Sequence, residues 1–290
     1  MQKLRLLKAI IVILFISGRA NGQSFHFKWE KDSINGKLIE KIAMSVPFTI
    51  EKKTYLFQFD LGANTTLIYD RCFQSSEFIK HKKTDGKMEA AGHSVFTVED
   101  QNFSIGKFHV KNYKLHGLLN FDQEEVCGVL GADVFQNKYL IIDFPNRKAM
   151  VSEELKSAGE IDFVDMKIIN NKPVIPVKID GKLYHFQYDN GASIFPVVSY
   201  RKNFQTLIDT SVMKESFNIR NFNNPLIVKA IEAHKKIIIG KSVFTTKELW
   251  FTDDDYFSLE QQGIDGIIGN VFFLDKTIVI DFKNKKFGIK

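Results

Sequence analysis

The hydrophobic pattern along the chain has a short period. Ser24 to Trp29 and Lys37 to Val46 alternate apolar with polar positions, and each predicts a strand. Pro47 to Tyr55 predicts strand, turn and strand, and Thr65 to Tyr69 continues as a β-branched strand. Residues 85–112 predict hairpins. Asp85-Gly86 and Ala90-Ala91-Gly92-His93 supply turn chemistry, and Phe103 to Val110 folds back near Gly106. Val126 to Phe135 is rich in small residues and predicts close backbone packing with the start of a short helix. Tyr139 to Phe144 predicts another strand, with Pro145-Asn146 opening a turn. Residues 151–166 are charged, lack β-branched runs and predict a connection.

One part of this pattern occurs twice. Tyr55-Leu56-Phe57-Gln58-Phe59-Asp60-Leu61-Gly62-Ala63 matches Tyr184-His185-Phe186-Gln187-Tyr188-Asp189-Asn190-Gly191-Ala192. The match extends without gaps from Pro47–Ala63 to Pro176–Ala192, an offset of 129. A second block, Gly128 to Val151, aligns without gaps onto Gly266 to Ile289 at an offset of 138. Two blocks in the same order, differing by nine residues of intervening loop, indicate an internal duplication. An Asp at the end of an aromatic strand is costly to bury alone. Two of them on two copies of one motif predict a facing pair of carboxylates.

Composition narrows the class. The chain has 290 residues, 44% hydrophobic and 26% charged, within the globular range. Its 27 Phe favour strands. The N-terminus stands apart: Lys3, Arg5 and Lys8 precede a wholly apolar Ala9 to Ile16, then small residues at Ser17-Gly18 and Ala20-Asn21-Gly22. That order predicts a secretory signal over residues 1–22, too short to span a bilayer, with a membrane-anchoring or buried helix as the weaker alternative. Removing Lys3, Arg5, Lys8 and Arg19 leaves 36 of the 40 basic residues against 34 acidic ones, so the net charge falls from +6 to +2. The basic balance is mostly a leader effect and gives no support for nucleic-acid binding. Cys72 and Cys127 could pair in an exported protein, although two separate buried thiols are the preferred expectation.

With these residues in view, the chain resembles the pepsin/retropepsin aspartic proteases. Each half holds an apolar strand, an Asp-x-Gly-Ala turn, an apolar-apolar-Gly block (Val129-Leu130-Gly131 and Ile267-Ile268-Gly269) and a closing Ile-Asp-Phe strand. The resemblance covers roughly residues 40–290, and its specificity comes from the order of the blocks in both halves. It implies an all-β protein of two pseudo-symmetric β-barrel lobes with a cleft between them. The expected division is a signal over 1–22, an N-terminal lobe over 23–152, a linker over 153–168 and a C-terminal lobe over 169–290.

The implied chemistry is hydrolysis of peptide bonds by a water activated between Asp60 and Asp189. Two carboxylates about 3 Å apart cannot both ionise and therefore share a proton. The ionised member takes a proton from water and the neutral one donates to the scissile carbonyl. Gly62, Ala63, Gly191 and Ala192 complete the active-site loops. The glycines are expected to let the backbone approach the carboxylates and to allow unusual φ/ψ. The family's usual Thr or Ser between Asp and Gly is replaced by Leu61 and Asn190. Asn190 is expected to supply one side of the link between the two loops, with Leu61 packing between lobes. A flap is expected at Ala91, Gly92 and His93, with His93 as an exposed loop histidine.

Other chemistries find little in the sequence. No His-Glu-x-x-His or Cys-x-x-Cys is present, and neither a metal nor a cofactor is expected. Asp253-Asp254-Asp255 is expected to be a solvated acidic turn, and Asp143 and Asp281 to accept backbone bonds at strand ends. The expected partner is a peptide or unfolded protein, with no nucleic acid and no membrane span in the mature chain. The protein is expected to be an exported monomer, periplasmic or secreted, without a pepsin-style pro-segment. The alternative is a catalytically silent relative that binds a peptide or protein in the cleft.

Overall fold

The aromatic strand that ends at Asp60 sets the building rule. Phe57 and Phe59 are fully buried, while Leu56 and Gln58, on the other face, are only half-buried. Phe57 stacks on Phe48 at 4.0 Å, and Phe48 on Phe103 at 4.6 Å, so successive strands are joined through ring contacts. The computed structural model describes residues 23–290 apart from 85, 87, 91, 122, 124, 156–159, 208–212, 222–223 and 254–257. The signal expected over 1–22 lies outside the described residues.

Among the described residues, the first half contributes β1 (Gln23–His26), β2 (Lys28–Ile34), β3 (Lys37–Ile50), β4 (Lys53–Phe59), β5 (Leu67–Tyr69), β6 (Glu89–Ala90), β7 (His93–Ile105), β8 (Phe108–Leu118), β9 (Gly128–Leu130), β10 (Tyr139–Asp143) and β11 (Lys148–Ser152). The second half contributes β12 (Asp162–Asp165), β13 (Lys167–Ile169), β14 (Lys172–Ile179), β15 (Lys182–Tyr188), β16 (Val197–Tyr200), β17 (Met213–Asn221), β18 (Asn224–Ile239), β19 (Ser242–Thr252), β20 (Gly266–Ile268), β21 (Thr277–Asp281) and β22 (Lys286–Ile289). The protein is all-β and has two lobes.

Each lobe is one eight-stranded sheet. The orders are β2-β3-β4-β9-β5-β8-β7-β6 and β13-β14-β15-β20-β16-β19-β18-β17. Adding eleven to every label of the first order gives the second. An extra pairing, β3 with β7 and β14 with β18, returns each sheet on itself. A six-stranded sheet, β1-β11-β10-β21-β22-β12, joins the lobes and obeys the same relation. At its centre Ile141 of β10 pairs antiparallel with Val279 of β21, its own repeat mate, so the pseudo-twofold axis passes there.

The two lobes make the same left-handed two-residue turn at corresponding hairpins from different residues. The β3–β4 turn uses Glu51 and Lys52 at φ 47° and 64°, where β14–β15 uses Asp180 and Gly181. Asp143 and Asp281 do accept backbone bonds at strand ends, from Asn146 N–H at 3.1 Å and Asn284 N–H at 2.8 Å. Residues 151–166, expected to connect the lobes, are partly strand. The alternation Asp162-Phe163-Val164-Asp165 suits an edge strand, and β12 pairs with β22 to finish the six-stranded sheet.

The preferred expectation of separate thiols is overturned: Cys72 and Cys127 form a disulfide. A 3₁₀ turn over Asp70–Phe73 follows β5 and carries Cys72 to the residue before β9, with a Cα–Cα separation of 5.6 Å. Lobe two makes the same connection without sulfur. Ile68 pairs with Gly128 as Ser199 pairs with Gly266, so Cys72 corresponds to Asn203 and Cys127 to Asp265. Asn203 Nδ2 donates to the Asp265 carbonyl at 3.0 Å.

The β2–β3 hairpin crosses from lobe one to lobe two. Ile34 at its tip is buried with Phe195, Val198, Phe217 and Trp250. Asn35 Nδ2 donates to the Ser216 carbonyl at 2.7 Å, and Lys37 lies 3.8 Å from Glu215. No helix among the described residues is long and apolar enough to cross a membrane.

Candidate active site

Strand β4 delivers Asp60 and strand β15 delivers Asp189, and the two arrivals are built alike. Asp60 N–H donates to the Leu130 carbonyl and Asp189 N–H to the Ile268 carbonyl, both at 3.0 Å. In the turn that follows, Gly62 N–H donates to Asp60 Oδ1 at 2.8 Å. Gly191 and Ala192 N–H donate to Asp189 Oδ1 at 2.9 and 3.0 Å. Backbone donors thus orient each carboxylate before any substrate arrives.

The two turns face each other across the pseudo-twofold axis. A Cβ on Gly62 would lie 2.4 Å from the Asp189 carboxyl carbon, and a Cβ on Gly191 would lie 2.4 Å from that of Asp60. Each glycine therefore exists to make room for the opposite carboxylate. Neither takes a left-handed φ, so the expectation that the turn needs unusual backbone angles is corrected: the requirement is space. Each carboxyl group thus lies against the opposite loop, and each acts on the ionisation of the other.

Asn190 ties the loops together from one side. Its Oδ1 accepts from Leu61 N–H at 2.5 Å, and its Nδ2 donates to the Phe59 carbonyl at 2.8 Å. One carboxamide, which both donates and accepts, brackets Asp60 from the other lobe. Leu61 is fully buried in the main hydrophobic cluster and offers only its backbone. Asn270 supports Asn190 by donating to its carbonyl at 3.2 Å and to Ser193 Oγ at 2.8 Å, while accepting from Tyr188 OH at 2.7 Å. Lobe one has Ala132 at the position of Asn270. It uses instead Thr66, whose Oγ1 accepts from Gly131 N–H at 3.1 Å and donates to Asp133 at 2.8 Å.

The carboxyl pair opens onto a cleft of about 850 Å³ between the lobes. Gln58, Tyr69, Val126 and Val129 line it from lobe one, and Gly191, Ala192, Ile194 and Phe195 from lobe two. The β2–β3 hairpin supplies a wall running from Glu30 to Asn35 and from Ile42 to Ser45. Burial pushes both carboxyl groups above their ordinary range, and the neighbouring Asp189 charge pushes Asp60 further. Backbone donors and Lys172 oppose the rise at Asp189. Burial and Asp60 also raise the Tyr69 hydroxyl, which stays protonated and able to donate.

Asp60, Asp189, Leu61, Asn190, Gly62, Ala63, Gly191 and Ala192 are thus brought together. The described part of the expected flap does not join them. Ala91 lies outside the described residues, and neither Gly92 nor His93 lines the cleft. His93 is no exposed loop histidine: it opens β7, half-buried, edge-on to Phe121 at 5.0 Å. Asp253 is ion-paired with Lys229 at 2.7 Å and Arg201 at 3.0 Å rather than merely solvated, while Asp254 and Asp255 lie outside the described residues. The sequence reading missed Tyr69, Asn270, Lys172 and the hairpin wall. Gln58 carried a signal, since Gln187 repeats it; its Nε2 donates to Asp60 Oδ2 at 3.3 Å. No protein-family model matches the chain, and no curated protein matches it.

Proposed function

We propose that the protein is an aspartic-type endopeptidase with two pepsin/retropepsin-like lobes, hydrolysing peptide bonds with a water held between Asp60 and Asp189. The observation that carries this is the reciprocal approach of each glycine to the opposite carboxylate at the floor of an interlobe cleft. Two largely desolvated carboxyl groups that face each other across the loops share one proton, so one serves as base and the other as acid. Their raised ionisation keeps the singly protonated pair in being above the ordinary carboxylate range, and activity falls as pH rises through loss of that last proton. The substrate is a peptide or unfolded protein extended along the cleft. The disulfide belongs to an oxidising compartment and supports export, periplasmic or extracellular.

The test is cleavage of a peptide library or a denatured protein from acidic to neutral pH by wild type, Asp60→Asn and Asp189→Asn. Each substitution is expected to lower turnover by roughly 10²–10⁴-fold. Activity that survives both sinks the proposal. A second reading, a cleft that binds peptides without cutting them, draws on Leu61, which leaves the interloop tie to one side chain. Saturable peptide binding by wild type with no turnover would select it.

A further inference from the structure

Lys172 opens β14 in lobe two and pairs with Ile169. The corresponding pair in lobe one is Ala43 with Glu30, and both of those line the cleft beside the carboxyl groups. The twofold relation therefore puts Lys172 on the opposite flank of the carboxyl pair from Ala43, and the antiparallel register of β14 on β15, Val174 with Gln187, carries Lys172 opposite Asp189. Its approach is pinned to lobe one through the residue before it. Asn171 Nδ2 donates to the Asn64 carbonyl at 3.0 Å, and Gln136 Nε2 donates to the Asn171 carbonyl at 2.9 Å. Asn170 and Asn171 make the tight turn with φ of 48° and 65°.

A half-buried ammonium group costs free energy unless an anion compensates it. Among the described residues no direct ion pair holds Lys172, and the charges that act on it are Asp189 first and Asp60 second. Burial lowers its pKa while these two carboxylates hold it up. The same lysine opposes the rise at Asp189. The carboxyl pair is thus asymmetric in its surroundings although its backbone is symmetric.

We propose that Lys172 is a positioning residue that keeps the single negative charge of the pair on Asp189 and the proton on Asp60. This rests on the endopeptidase reading and assigns the two roles within it. The water oxygen bonds to the carbonyl carbon as its proton passes to Asp189. The Asp60 proton passes to the carbonyl oxygen, giving a neutral gem-diol. On collapse the proton on Asp189 goes to the leaving nitrogen, the C–N bond breaks, and one gem-diol hydroxyl returns its proton to Asp60. Atoms and charges balance, and the lysine keeps its proton throughout.

The experiment is the pH profile of kcat/KM for wild type, Lys172→Met and Lys172→Arg. Removing the cation disfavours each ionisation of the pair, so both limbs move to higher pH in Lys172→Met. The change is read as a roughly tenfold loss on the acid limb for each pH unit of displacement. Lys172→Arg keeps the charge and the wild-type profile. The other groups facing the pair are unchanged: Tyr69 and Tyr188, and on the cleft walls Glu30, Lys31 (paired with Glu40), Asp32 and Glu125. An unchanged profile in Lys172→Met overturns the proposal, as does an equal displacement in both variants. Lys172→Gln replaces the Met variant if the latter does not fold. If wild type cleaves nothing, carboxyl ¹³C titration of Asp60 and Asp189 separates the two failures. A higher Asp189 midpoint in Lys172→Met keeps the charge placement while the peptidase reading falls; an unmoved midpoint overturns the placement.

Discussion

Lobe one ties the end of β5 to the start of β9 with Cys72–Cys127, and lobe two makes the corresponding tie with the Asn203 carboxamide on the Asp265 carbonyl. At the cleft floor the emphasis reverses. Lobe two supplies both bonds of Asn190, and lobe one supplies buried Leu61. The duplicated topology requires a restraint at each of these points. The chemistry of the restraint is free to differ, provided the geometry of the two carboxylates does not.

The largest expected effect tests the first contrast. Converting Cys72 and Cys127 to Ser frees a loop with a sequence separation of 55 residues. Chain entropy puts the loss at about 4 kcal/mol, read as a lower denaturant midpoint. Asn203→Ala in lobe two should cost only about 1 kcal/mol, the net worth of a hydrogen bond. Equal losses would break the comparison. Next is Asn190→Ala, which leaves the Leu61 N–H and Phe59 carbonyl buried and unpaired, a loss of about 3 kcal/mol by thermal or denaturant unfolding.

Gly62→Ala and Gly191→Ala test the symmetry that remains. Each added methyl meets a carboxylate well inside contact distance. Each should cost roughly 10²-fold in kcat/KM, about 2.7 kcal/mol, through displacement of the pair. A large loss for one and none for the other would mean that the carboxylates are not equivalently held. The smallest effect concerns the hairpin turns. Lys52→Gly gives lobe one the residue lobe two already has at Gly181 and removes a left-handed lysine. It should stabilise by about 0.5 kcal/mol, seen as a slightly higher melting temperature.

Much of this was legible in the sequence because duplication writes each element twice. The matched Tyr55–Ala63 and Tyr184–Ala192 marked both carboxylates, their glycines and the strands that carry them. Where the halves diverge, the signal ends. The offset shifts between Ala63 and Leu67, so Cys72 had no visible mate in Asn203, and two thiols far apart in sequence carry no record of their pairing. Lys172 aligns with Ala43 just outside the matched block, and its meaning depends on charges brought near only by the fold. The β2–β3 hairpin reads as two alternating strands in either lobe's service. Nothing in Ile34 itself tells that it is buried among residues of the other lobe.

The one-sided grip of Asn190 also bears on how far the twofold symmetry can hold. In a symmetric dimer of identical chains every residue near the axis appears twice. Two carboxamides reaching for opposite backbones would meet at the centre, and two leucines would leave both backbones untied. A single long amide opposite a single leucine is open only to two halves whose sequences differ. Leu61 and Asn190 therefore make a grip that an exactly symmetric pair of halves could not have.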